Sequence, residues 1–148
     1  DEKGHALLAP EGQVINQVFA STIDLNPNLN YNHGHHGLAQ KNKHNKTKMK
    51  QLAEALLTQQ YKGAILTAAK SAHLQKSISG RPGRHKLFLT MLGAGAFRNS
   101  HKVIARAIAA NEDLIEKSGL DVQLRLRYDW KPQGKAGAVL DGLAERLS

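Results

Sequence analysis

The chain of 148 residues contains no cysteine, and it has only two methionines, one tryptophan, three tyrosines and three phenylalanines. Without cysteine there is no disulfide framework, no thiolate zinc site and no thiol nucleophile. Few aromatics leave little material for stacking on single-stranded nucleic acid. No apolar run approaches the roughly 18 residues of a membrane span, so no membrane partner is expected. The opening residues, Asp1 to Gly4, are polar and charged, and no signal peptide is seen in the chain. A cytoplasmic location is the expectation. Acid is scarce too: 12 Asp+Glu stand against 21 Lys+Arg, a formal net charge of +9. That surplus favours anionic partners such as nucleic acid or nucleotides, the plainer alternative being a solvated basic surface. The first residue is aspartate rather than methionine, which suggests a processed product or a fragment. The length suits one domain, 1–148, able to bury a core without covalent staples.

Residues 1–12 read as a loose lead-in punctuated by Gly4, Pro10 and Gly12. Residues 14–23 are rich in β-branched side chains and read as a strand. A mobile basic surface loop is expected at about 25–47, dense in asparagine, histidine and lysine. His33, His35, His36 and His44 lie close together there, and histidine is a common zinc or nickel ligand. No carboxylate occurs between Asp24 and Glu54 to complete a site, so neither metal nor cofactor is expected. Lys41, Lys43, Lys46, Lys48 and Lys50 form a basic stripe suited to weak polyanion binding.

A long helix is expected to start near Asn45 or Thr47 and to end before the breaker at 79–83. Met49, Leu52, Ala53, Leu56 and Leu57 mark its apolar stripe, continued by Ala64, Ile65, Ala68, Ala69 and Ala72. Gly63 weakens its middle by about 1 kcal/mol relative to alanine. Residues 87–92 are nearly continuously apolar, the pattern of a strand buried on both faces in a parallel sheet. A second helix, capped by Asn99 or Ser100, buries Val103, Ile104, Ala107, Ile108, Asn111, Leu114 and Ile115 and stops at Gly119. Val122, Leu124, Leu126 and Tyr128 then alternate with polar residues, as in a strand with one wet face. A closing helix at 138–147 turns Val139, Leu140 and Leu143 inward. Together these predict an α/β fold, a mixed or parallel sheet flanked by helices. Right-handed crossovers place the glycine loop at 93–99 along the carboxyl edge of the strands, where open α/β sheets bind ligands.

That loop has four properties of a phosphate site. It follows a buried strand. Gly93 and Gly95 lack Cβ, so backbone can approach a ligand closely. It runs into a helix N-terminus, where free N–H groups and the dipole favour an anion. Arg98 adds a guanidinium. The plain alternative is a tight turn whose glycines permit helix–strand packing. No Gly-Lys-Ser/Thr follows, so it is no Walker loop, and the third glycine of a dinucleotide fingerprint is missing.

The segment Leu87-Phe88-Leu89-Thr90-Met91-Leu92-Gly93-Ala94-Gly95-Ala96-Phe97-Arg98-Asn99 resembles the second phosphate loop of macrodomain-like proteins. It is most similar to a group akin to poly(ADP-ribose) glycohydrolases that includes bacterial effector ADP-ribosyl hydrolases, with their "LTLLGGGAFGN" pattern. Residues 14–21, 61–69 and 119–122 resemble other parts of that group, so the likeness spans roughly 14–129. It implies a macrodomain-like domain, or the C-terminal half of one. It implies that Thr90, Gly93, Ala94, Gly95, Ala96, Phe97, Arg98 and Asn99 hold the pyrophosphate and adjoining ribose of ADP-ribose. Tyr128 or Trp130 would stack on adenine, with core packing the commoner fate of such aromatics. Partners would be ADP-ribose or an ADP-ribosylated protein, with delivery to a host cytosol if the chain is an effector. The activity implied is removal of ADP-ribose from proteins, or its recognition without catalysis; a basic nucleic-acid-binding module and a ligand-free scaffold are the alternatives. Ala94 and Arg98 stand where the group has glycine, so a positive φ at Ala94 would narrow the loop. The resemblance implies that the catalytic acidic or amide residues lie in the first half of the fold, upstream of the segment matched here, and none is assigned. Asp24, Asn26 and Asn30 follow the first expected strand and are weak candidates to face the site. The reading requires loop amides turned outward rather than bonded within the protein.

Overall fold

The computed structural model describes residues 15–23, 25, 43–74, 85–125 and 134–147. In chain order they form α1 (Lys43–Leu74), β1 (Lys86–Thr90), α2 (His101–Ala109), α3 (Glu112–Ser118), β2 (Asp121–Arg125) and α4 (Gly134–Leu147). Strands β1 and β2 pair in parallel, with Lys86 opposite Asp121 and Thr90 opposite Arg125. Parallel neighbours need a crossover, and α2 with α3 supplies it. The class is therefore mixed α/β.

Helix α1 is continuous for 32 residues, straight through Gly63. It starts at Lys43 rather than at Asn45 or Thr47, so the expected loop at 25–47 gives up its last five residues to helix. The rest of that loop, with His33, His35, His36 and Lys41, lies outside the described residues. Ala53, Leu57, Tyr61, Ile65 and Ala72 form the buried stripe of α1. Leu52 and Leu56, expected on that stripe, face outward instead. Each is one residue, about 100° of helical turn, away from a buried neighbour.

The core is built from Leu57, Tyr61, Leu89, Val103, Ile104, Ala107, Ile108 and Leu143. Leu87, Val122 and Leu124 of the sheet and Leu140 of α4 pack against it. Burial of a side chain of this size contributes about 1.5–3 kcal/mol, which is what holds α1, α2 and α4 over one face of the sheet.

Further expectations are corrected. Residues 15–23 form no strand: Ile15 and Phe19 are 76% and 87% exposed. β-branched composition makes a strand only where a ladder partner is present, and the described ladder of β1 runs to β2 alone. Strand β1 is not buried on both faces. Leu89 is buried, but Phe88 is half-exposed, with the Arg125 guanidinium 4.7 Å from its ring centroid. The expected single helix from 100 to 118 is two. Asn111, only 5% exposed, donates from Nδ2 to the carbonyls of Ala107 and Thr58. The chain breaks there and restarts as α3. Gly119 does end it in the left-handed region, at φ 64°. Helix α4 starts four residues before the expected 138, at Gly134.

Candidate functional site

The β1–α2 loop leaves the carboxyl end of β1 and enters α2 through Ser100. Ser100 is the N-cap: its Oγ accepts from the Val103 amide at 3.4 Å. Asn99, the other expected cap, has a different task. It is 2% exposed, and its Nδ2 donates to the Ile23 carbonyl at 2.9 Å and to that of Gly93 at 3.4 Å. Its backbone amide also donates to the Gly93 carbonyl, at 3.0 Å. Asn99 thereby ties the loop's two ends together and ties both to the segment before Asp24.

That segment forms the loop's outer wall. The Leu25 amide donates to the Phe97 carbonyl at 2.9 Å. Thr22 lies against Gly93, where an added Cβ would collide with its methyl and come within 2.8 Å of Asn99 Nδ2. Gly93 also has φ 78°. Two independent constraints, crowding and a left-handed backbone, therefore demand glycine there. Gly95 differs: its φ is not positive, and a Cβ built on it meets nothing within 4 Å. Gly93 serves packing, and Gly95 leaves the tip of the loop open.

The two departures from the resembling pattern resolve oppositely. Ala94 does not have a positive φ, so its methyl does not strain the loop, and it packs against the core. Arg98 has φ 50°, the one positive-φ non-glycine among the described residues. A left-handed residue with Cβ costs roughly 1–2 kcal/mol. The side chain of Arg98 is exposed and forms no ion pair with a described residue.

The amides are partly committed. Those of Ala94, Arg98 and Asn99 donate to the carbonyls of Met91, Gly95 and Gly93. This counts against the full cradle that the sequence suggests. Among the described residues, the amides of Gly93, Gly95 and Phe97 take no backbone partner. Gly95 and Ala96 are exposed, Phe97 is half-buried, and Thr90 is exposed at the end of β1. Tyr128, Trp130, Asp24, Asn26 and Asn30 lie outside the described residues.

Sequence reasoning missed Tyr61. Its hydroxyl donates to the Thr90 carbonyl at 2.8 Å and accepts from the Leu92 amide at 3.0 Å. It thus continues the hydrogen bonding of β1 where the ladder stops. Burial pushes the phenol up to about 12, partly offset by the Leu92 amide bonded to it. The signal was present: Tyr61 continues the stripe of Ala53 and Leu57, and a buried phenol requires a partner.

No carboxylate belongs to this loop, and no group of three or more histidine or acidic side chains able to hold a metal occurs among the described residues. The arrangement offers open backbone, a helix N-terminus and a guanidinium, which is binding chemistry. No described helix is long and apolar enough to cross a membrane. No family model, curated protein or solved structure matches the chain.

Proposed function

We propose that the β1–α2 loop binds a diphosphate and that the chain is a macrodomain-like module for ADP-ribose. One observation carries this reading. At the carboxyl end of a parallel strand, Gly95 stands open beside Arg98, which has no ion pair with a described residue and lies just before the N-terminus of α2. Amides of Gly95 and Phe97, together with the Arg98 guanidinium, are the donors for the diphosphate oxygens. Phe97, half-buried beside Arg98, would lie against the adjoining ribose. Binding or reading of ADP-ribose is the core of the proposal, and hydrolysis of an ADP-ribosyl linkage is its extension. The extension needs an acidic or amide group to activate water; this loop has no carboxylate, and its one amide side chain, Asn99, is buried with Nδ2 bonded to the Ile23 and Gly93 carbonyls.

The test is a calorimetric titration of the chain with ADP-ribose, beside Gly95→Glu. Gly95 has open space around it and an ordinary φ, so the variant retains its fold, and its carboxylate repels the diphosphate. Wild-type heat that vanishes in Gly95→Glu supports the reading. Absence of heat at millimolar ADP-ribose sinks it. RNA binding that survives Gly95→Glu and collapses with salt would favour the nucleic-acid module instead.

A further inference from the structure

Helix α1 is apolar on two sides. Its inward stripe belongs to the core, yet Leu52, Leu56, Leu66 and Leu74 are 48%, 39%, 47% and 64% exposed. At 3.6 residues per turn these four and Gly63 fall within an arc of about 80°, opposite the buried stripe. Gly63 sits at the middle of that row, with nothing within 4 Å of a Cβ built on it. The outer leucines thus form two ridges with a notch between them. A helix needs only one apolar stripe to dock on its own core, so the second row is unexplained by the packing of the described residues.

The charges around the row have one sign. Lys48, Lys62 and Lys70 are exposed on the same half of α1. The only acid of α1, Glu54, is paired with Arg106 of α2. Beside the notch, an open groove of about 390 Å³ runs between α1 and α3, with Lys62 and Lys117 on its sides and Leu114 within. Asp113 is the one acid that lines it.

We propose that this outer face of α1 docks an acidic amphipathic helix, crossing at Gly63. Its apolar stripe covers Leu56 and Leu66, and its Asp or Glu side chains meet Lys62, Lys70 and Lys117. Charge complementarity selects the partner: a second copy would bring lysines against lysines. The notch selects a helix over a lipid surface, because a flat surface gains nothing from a gap in the ridge while a crossing helix gains close approach. This face lies on the opposite side of α1 from Tyr61 and the glycine loop, so the inference stands apart from the ADP-ribose reading.

The probe is a labelled 21-residue peptide with leucine at the a and d heptad positions and glutamate flanking them, followed by fluorescence anisotropy. A counterpart with lysine flanks, and vesicles of phosphatidylcholine with phosphatidylserine, are run in parallel. The glutamate peptide is expected to bind, more weakly at high salt. Leu56→Glu with Leu66→Glu, and separately Gly63→Leu, are expected to weaken it by roughly tenfold or more. Gly63→Leu improves helix propensity, so a loss there is not a loss of folding. Equal binding of the lysine peptide overturns the proposal, as does unchanged binding by Gly63→Leu. Vesicle binding without peptide binding assigns the face to a membrane surface and overturns it. Sedimentation showing a dimer that Leu56→Glu with Leu66→Glu dissociates assigns the face to a second copy and overturns it.

Discussion

Gly93 and Gly95 are two positions apart and look interchangeable in the sequence, yet the fold treats them oppositely. Gly93→Ala must place a methyl against Thr22 and Asn99 at φ 78°. Left-handed strain and crowding together predict a loss of about 2–4 kcal/mol. Gly95→Ala is expected to stay within about 0.5 kcal/mol of wild type. Urea unfolding of both variants measures the difference, and equal losses would refute this division of labour. Tyr61 makes a second prediction. The phenol titrates near 10 when unfolded and near 12 when folded. Between those values the folded chain holds a proton that the unfolded chain has released, so stability falls as pH rises. The contribution is fully present below pH 10, fades between about 10 and 12, and amounts to roughly 2–3 kcal/mol. Unfolding followed across that window should show the decline in wild type and its reduction in Tyr61→Phe. Identical slopes would mean that Tyr61 is not the group responsible.

Among the elements, α1 shows what periodicity reveals and what it hides. Its existence and length were legible because Leu, Ala and Ile recur at helical spacing from 49 to 72. Which leucines are core was not, because both sides of the helix carry them. Leu56 and Leu57 are adjacent in sequence and 39% against 0% exposed. Leu57→Ala is expected to cost about 2–5 kcal/mol, while Leu56→Ala stays within about 0.5 kcal/mol. Thermal unfolding of the pair is the check, and similar shifts in Tm would mean the stripe is misassigned. The α2–α3 break was hidden for another reason. Asn111 fits the apolar spacing of one long helix, and only the carbonyls of Thr58 and Ala107 explain its burial. The first is 53 residues away in the chain, beyond any local pattern. Residues 15–23 erred the other way, since strand composition there meets no strand to pair with among the described residues.

Across the whole molecule, the parallel pairing of β1 with β2 and the placement of the glycine loop at their carboxyl end followed from alternation and handedness alone. The Ser100 cap and the Gly119 stop were equally readable, because each acts within a few residues of itself. The loop's working geometry was not readable. It depends on Tyr61 from one side and on Thr22, Ile23 and Leu25 from the other, none of which is near it in sequence. The internal bonds of Ala94, Arg98 and Asn99 likewise depend on how the turn closes rather than on its composition.

That outer wall has a kinetic meaning. Ile23 reaches Asn99 across 76 positions of chain, and the segment that carries it is fastened by a few hydrogen bonds while Ile15 and Phe19 stay exposed rather than buried in the core. Strand β1, α2 and β2 assemble from contacts of much shorter separation. The seam over the glycine loop is therefore expected to open ahead of that framework, and faster amide exchange at Leu25 than at Leu89 would show it.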